Sequence, residues 1–296
     1  MAGDQAMTGP VRAWLPDGRL HLQHGPIDLV VEARGAAHEI ERAQDQAWHR
    51  FQDVLESLVA ELPLLRTPIG HAYPLARGPV ARRMVAACWP LRAQFITPMA
   101  AVAGSVADEM LAAMLAGRSL QSAYVNDGGD IAVWVAPGET LDAGIVNHPG
   151  QPRPNASLRL DRPCGLATSG WRGRSHSLGI ADAATVVADN AAAADAAATL
   201  VANAVNAEHP AIERASARTL RHDSDLGGIA VTVAVGELPP ACVALALERG
   251  VAAARAMQRA GLIHAAYLAL QQQCRVASPL AEAGCDKLSA MRNAAC

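Results

Sequence analysis

Lysine is almost missing from this chain. Of 25 basic residues one is lysine, Lys287, and the others are arginine. A lysine nucleophile or Schiff base would therefore have to be Lys287. Net positive charge is missing as well. The formal net charge is −3 and the isoelectric point about 6.4, which is not the basic footprint of a nucleic-acid binder. The six cysteines (Cys88, Cys164, Cys242, Cys274, Cys285 and Cys296) are scattered, with no C-x-x-C pair and no zinc-ligand spacing. They read as buried or free thiols of a reducing compartment. No apolar run reaches the ~18 residues of a membrane span, and the polar stretch Met1 to Pro10 lacks the apolar centre of a signal peptide. The expectation is a cytoplasmic protein with neither a membrane nor a nucleic-acid partner.

Several catalytic signatures are absent too. There is no G-x-G-x-x-G after a strand and no G-x-x-x-x-G-K-[ST] phosphate loop. His38-Glu39 has no second histidine at zinc-protease spacing, and Ser169-Gly170 follows alanine and threonine, not the G-x-S-x-G elbow. No fixed-period repeat is present.

What is present is a globular balance, 51% hydrophobic and 18% charged over 296 residues. The length suits a single domain over 1–296, or two intimate lobes formed by about 1–95 with the C-terminal part and by 96–206. Residues 277–296 read as a loosely held tail. Val11 to Leu15, Leu20 to Gln23 and Ile27 to Glu32 read as strands, the first two flanking an Asp17-Gly18 turn. Ile40, Ala47, Phe51, Leu55, Leu58 and Leu62 mark one amphipathic helix of about 25 residues that Pro63 stops. Gly78-Pro79 opens a short helix through Cys88. Thr97 reads as the N-cap, with Pro98 at the first turn, of a helix reaching Leu115. Later strands are expected at 122–125, 131–135, 140–146, 157–160, 165–170, 182–188 and 229–235. Helices are expected at 190–206 and 240–259, with 262–270 either a strand or a helix extension. Strands and helices come in blocks, which favours α+β.

Four segments carry candidate chemistry, and together they would draw a cleft from 97–108, 126–130, 165–176 and 195–203. Asp195, Thr199 and Asn203 recur every fourth residue and share one helix face. A carboxylate and a hydroxyl one turn apart are hard oxygen ligands that suit Mg²⁺. The same spacing also describes a polar stripe facing solvent. Asn126 to Asp130 is by default a turn, although Gly128 and Gly129 would let backbone N–H groups approach a ligand and Asp130 could accept from it. Gly165 to Gly170, with Thr168 and Ser169, then Arg172, Arg174, Ser175 and His176, is either a solvated loop or a site for a phosphate-bearing ligand with His176 as proton carrier. The alanines and glycine of 97–108 signal close packing of a helix or close approach of a ligand.

The order of these segments carries a resemblance. Tyr-Val-Asn-Asp-Gly-Gly-Asp-Ile (124–131), Leu-Ala-Thr-Ser-Gly (166–170), Ser-His (175–176) and Ala-Asp-Ala-Ala-Ala-Thr-Leu (194–200) resemble the ApbE-like superfamily over about residues 95–206. Thr97-Pro-Met-Ala-Ala-Val-Ala-Gly (97–104) is most similar to a smaller, non-lipoprotein branch of it. The resemblance implies antiparallel or mixed sheets with packed helices around a central cleft, and an activity akin to FMN transfer from FAD to a protein threonine with Mg²⁺. Carried over by position, Asp195 and Thr199 would be metal ligands, and Asp108 would lie near the nucleotide part of FAD. Gly128, Gly129, Asp130, Thr168, Ser169 and Gly170 would line the pocket, and His176 would be catalytic. The chain departs from the transferase pattern in two places. Ala103-Gly104 stands where the transferases have a lysine and glycine, and Ser177-Leu178-Gly179 follows His176 in place of an Asp-Pro pattern. Hydrolysis of the FAD pyrophosphate, non-catalytic ligand binding and catalysis on another small substrate therefore stand beside FMN transfer. Homo-oligomerisation is left open.

Overall fold

Leu20, Leu22, Ile27, Leu29 and Val31 occur at every second position within their strands, and all five are buried. That period-two pattern buries one face of an N-terminal meander. In the computed structural model, which describes residues 9–148, 150–151 and 153–278, the meander is β1 (Val11–Trp14), β2 (Leu20–His24) and β3 (Ile27–Gly35). The chain then forms α1 (Ala37–Phe51), α2 (Val54–Ala60), α3 (Leu62–Leu65), α4 (Pro79–Cys88), a 3₁₀ turn at Pro98–Ala101 and α5 (Val102–Leu115). Next come β4 (Leu120–Asp127), β5 (Asp130–Val135), β6 (Leu141–Ile145), β7 (Ala156–Leu160), β8 (Cys164–Ser169), β9 (Ala183–Ala188) and α6 (Ala191–Ala204). The C-terminal part holds β10 (Ile212–Ser216), α7 (Ala217–Leu220), β11 (Ala230–Val235), α8 (Pro240–Arg259), β12 (Ala265–Leu270) and β13 (Gln273–Ala277).

Nine strands form one sheet in the order β1-β2-β3-β4-β5-β8-β9-β12-β13. Every recorded pairing is antiparallel, so the architecture is α+β. One face carries the helices. Leu20, Leu29 and Val125 pack there with Phe51, Met84 and Met110, while Val186 and Leu268 pack with α6 and α8. The opposite face is partly covered by the β6–β7 hairpin, whose Leu160 packs against Val133, Cys164 and Leu166.

The amphipathic stretch from 40 to 62 is divided rather than continuous. It turns at Gln52 and Asp53, where Arg50 Nη1 pairs with Asp53 Oδ1 at 2.5 Å, and this re-aims Val54, Leu55 and Leu58 at the core. Pro63 lies in the first turn of α3 and is not a stop signal. Thr97 does not cap through its side chain. Its hydroxyl donates to Asp225 Oδ2, and the chain enters α5 through the 3₁₀ turn. Pro98–Leu115 does reach 18 mostly apolar helical residues, but half of this stretch is buried inside the protein. The segment 262–270 resolves as strand β12. β10, α7 and β13 lack a sequence signal, since Glu213 and Arg214 or Gln273 and Arg275 interrupt any alternation. Cys88, Cys164 and Cys242 are free thiols. Lys287, Cys285, Cys296 and nearly all of the expected tail lie outside the described residues.

The helix that organises the site is α6. Nine of its fourteen residues are alanine, and Asn190 caps it by accepting from Ala193 N at 2.8 Å. Small side chains let it run between α5 and α8 on the helix-covered face of β8 and β9, with residues on every side of it buried. Two glycines permit this approach. A Cβ on Gly104 of α5 would collide with the Ala191 carbonyl, and one on Gly165 of β8 with the Asn190–Ala191 peptide.

Candidate functional site

The site begins in a turn. β4 ends at Asp127 and β5 starts at Asp130, so Gly128 and Gly129 alone connect them. Both glycines have positive φ, +64° and +115°, as a two-residue primed hairpin turn requires. Asn126 Oδ1 accepts from Gly129 N at 2.8 Å and braces the turn. The connection forces Asp127 and Asp130 into direct cross-strand register. Like charges placed opposite each other destabilise a hairpin, so this pair is a local conflict of the kind found at functional sites.

The pleat directs the pair. Ala123, Val125 and Asp127 alternate to one face of β4, and their partners Trp134, Ala132 and Asp130 share it. On β8 the same face carries Gly165, Ala167 and Ser169. This is the face that packs on α5 and α6. Asp195, from the second turn of α6, turns its Oδ2 to the N–H of Gly104 at 3.1 Å. Three carboxylates thus act on one another. Burial pushes the Asp127 carboxyl up to about 7 against the pull of Arg174. Burial and the charge of Asp127 push Asp130 to about 7, against the N–H of Thr168 and the charge of Arg174. Burial and the charges of Asp130 and Asp127 hold Asp195 well above the usual carboxylate range. A cluster of this kind needs protons or a cation.

A pH dependence follows. For Asp127 and Asp130 the folded state binds its proton more tightly than the unfolded chain, whose value is near 3.8. Their stabilising contribution is complete below that range and is lost as pH rises through about 7. In the presence of chelator, the unfolding temperature is expected to fall between about pH 5 and 8. In Asp127→Asn and Asp130→Asn the fall should be shallower. Scanning calorimetry across that range checks it, and slopes identical to wild type would remove these groups from the account.

The remaining expected residues fall in several places. Thr199 follows Asp195 by one turn and, like it, keeps part of its surface accessible. The stripe is no free solvent face, because Asn203 Oδ1 accepts from Leu178 N at 2.9 Å and Ser177 Oγ at 3.3 Å. Asp108 is spent on the helix, its two oxygens accepting from Ala191 N at 3.0 Å and Ala192 N at 2.9 Å. Burial raises its pKa against those two hydrogen bonds. Thr168 reaches Asp130 Oδ1 with its backbone N–H at 3.3 Å, while its hydroxyl pairs with Thr185 Oγ1 on the other face of the sheet. Gly170 is needed where the loop after β8 crosses the Ala181 and Asp182 carbonyls. His176 lies in that loop, partly buried, and makes no hydrogen bond among the described residues. Asp127 was absent from the expected site residues. The signal that finds it is the two-residue turn, which fixes the register once both strands are accepted.

Two concavities adjoin these elements. One of about 260 Å³, lined by Arg83, Asp108, Asn190, Ala193 and Ala197, lies against the face of α6 turned away from Asp195. The other, about 250 Å³, lies at the tip of the β4–β5 turn and is lined by Asp28, Val30, Asn126, Gly128, Gly129 and Arg174. The second holds none of the three carboxylates, since its Val30 and Asn126 belong to the opposite face of the sheet; Arg174 at its edge links the two, with Nη2 3.9 Å from Asp127 Oδ1. Among the described residues no group of three His, Cys, Asp or Glu side chains is arranged to hold a metal ion. Mg²⁺ commonly uses one or two protein oxygens and completes its shell with water and substrate phosphate. The hard-oxygen pair Asp195 and Thr199, beside carboxylates that lack a compensating lysine, fits that mode.

The family model described as AbpE bacteria matches residues 12–276. The UPF0280 protein of Methanothrix thermoacetophila is 34% identical over 196 residues, covering 63% of this chain and 79% of that one. The UPF0280 protein of Methanopyrus kandleri is 31% identical over 211 residues, covering 70% and 82%. Among solved structures, a mutant of the flavin transferase ApbE from Vibrio cholerae aligns with a TM-score of 0.47 at 11% identity, covering 93% of this chain and 99% of that one. The apo flavinyl transferase ApbE of Pseudomonas stutzeri aligns with a TM-score of 0.42 at 13% identity, covering 91% and 93%. With a family model spanning residues 12–276, the chain belongs to the family described as AbpE bacteria.

Proposed function

We propose that this protein is a cytoplasmic, flavin-related protein that binds a phosphate-bearing small molecule of the FAD type together with Mg²⁺. The observation that carries this reading is the convergence of Asp127, Asp130 and Asp195 on the inner face of the β4–β5 turn and α6. Carboxylates held together this way favour a divalent cation, and a divalent cation favours a pyrophosphate. Asp195 and Thr199 would hold the ion, and Asp127 and Asp130 would hold its water ligands or the ligand's hydroxyls. When bound, Mg²⁺ supplies neutralisation of phosphate charge and polarisation of the P–O bonds.

Gly129 leaves open space for the ligand at the turn, and Ser169 presents a hydroxyl on the face shared with Asp127 and Asp130. His176, which makes no hydrogen bond among the described residues, would carry the proton of either FMN transfer or pyrophosphate hydrolysis. Ala103, where the transferases have a lysine, favours a second reading in which the ligand is held without transfer or is a different phosphorylated molecule.

Calorimetric titration of the full chain with FAD, with and without Mg²⁺, tests the reading. Binding that requires Mg²⁺ supports it, and assays for transfer and for AMP release then separate the reactions. Absence of FAD binding in both conditions would end the flavin reading and leave other phosphorylated ligands to be screened.

A further inference from the structure

Two arginines in the loop between β8 and β9 are equivalent in sequence and differ in the fold. Arg172 is committed. Its Nε donates to Asp182 Oδ1 at 2.8 Å, and its guanidinium lies 4.2 Å from the centre of the Trp171 ring. Trp171 Nε1 donates to the same oxygen at 3.1 Å, and Asp182 Oδ2 accepts from Gln271 N at 2.7 Å. This arginine is part of a buttress joining the loop to β12.

Arg174 is uncommitted. Its side chain is 66% exposed, and its closest acidic partner, Asp127 Oδ1, is 3.9 Å from Nη2, beyond hydrogen-bond distance. No hydrogen bond is recorded for it among the described residues. The guanidinium lies across Gly128, where a Cβ would collide with it, and faces the concavity shared with Asp28, Val30, Asn126 and Gly129. The Asp28 carboxylate is itself paired with His21 Nε2 at 2.8 Å. Asp127 is buried, but at 3.9 Å the guanidinium makes no hydrogen bond to it and so gives none up when it turns to a ligand. Five donors in a fixed planar fork remain to be used.

We infer that Arg174 is the residue that receives the ligand's phosphate groups, supplying from the loop after β8 the positive charge that no lysine supplies from α5. The inference rests on the reading of the cleft given above. In the free protein Arg174 leans on Asp127. In the complex it exchanges that contact for phosphate oxygens, and Asp127 is left to the cation or its waters. Arg172, a similar charge two residues away, keeps its structural place.

The test is titration of the full chain with inorganic pyrophosphate, with and without Mg²⁺, and in parallel with FAD. Arg174→Ala should weaken pyrophosphate binding about tenfold or more, and Arg174→Lys should restore only part of it because an ammonium lacks the bidentate fork. Arg172→Ala should lower the unfolding temperature and leave pyrophosphate affinity unchanged in the folded protein. Asp127→Asn should tighten metal-free pyrophosphate binding severalfold, and by less in the Arg174→Ala background. A purely structural arginine would not produce that non-additivity. If Arg174→Ala binds pyrophosphate as wild type does, the inference fails while Mg²⁺-dependent FAD binding still supports the cleft. If the wild-type chain binds neither probe, the cleft reading fails and the inference falls with it.

Discussion

Asp195→Asn is expected to remove Mg²⁺-dependent ligand binding while leaving the fold at least as stable as wild type. The substitution keeps the shape of the side chain and an oxygen that can accept from Gly104 N. It deletes a charge that burial and the neighbouring Asp130 and Asp127 make unfavourable. With chelator, the unfolding temperature of the variant should therefore match or exceed that of wild type, most clearly above neutral pH. With Mg²⁺ the order should reverse. A ligand present at a hundred times its dissociation constant stabilises by about 2.7 kcal/mol, and only the wild type should gain this. Thermal unfolding with and without Mg²⁺, read beside FAD titration, checks both halves. A variant that is destabilised without metal would mean that the carboxylate is held for structure, and one that still responds to Mg²⁺ would place the ion elsewhere.

The second large effect is expected at Gly104. A Cβ there would strike the Ala191 carbonyl oxygen and stand 2.8 Å from Ala192 N. Both contacts are to backbone, which has no rotamer with which to yield. One turn further along α5, Asp108 holds the N–H groups of the same two residues. Gly104 and Asp108 therefore act together. The glycine lets the two helices touch, and the carboxylate pins the first turn of α6 where they do. Gly104→Ala should push that turn away, lengthen both Asp108 hydrogen bonds and displace Asp195. Overpacking and the strained caps should destabilise by about 3 kcal/mol or more. For a chain of this size the unfolding temperature should drop by roughly 6–12 °C. Gly70→Ala, where nothing lies within 4 Å, is the control and should be close to neutral. Equal unfolding temperatures for Gly104→Ala and wild type would show that α5 and α6 separate easily. The α5–α6 packing would then have no part in positioning Asp195.

These two residues also mark how far the sequence could be read. The four-residue spacing of Asp195, Thr199 and Asn203 placed them on one helix face without any structure, because helical period is a local property. The glycine pair between Asn126-Asp127 and Asp130 likewise announced a turn, and the alternation in Leu20 to Val31 announced strands with one buried face. Local signals of this kind also bounded α4 and α8 at the residues observed.

Other features depend on which elements meet, and no local pattern encodes that. Asp127 entered the site because antiparallel pairing set it opposite Asp130, and the pleat aimed both at α6. The same pleat turned the Thr168 hydroxyl to the far face and left only its N–H for Asp130. Asp108 became the clamp on α6 because α5 and α6 lie side by side, a contact between residues more than eighty positions apart. Arg172 and Arg174, interchangeable by type and spacing, were separated by the arrival of Asp182 beside one of them. The sequence by itself determined the periods, the turn and the α+β class of elements. Tertiary packing decided which carboxylates share a site, because burial and like-charge repulsion act through distances that only the closed sheet and the enclosed helix create.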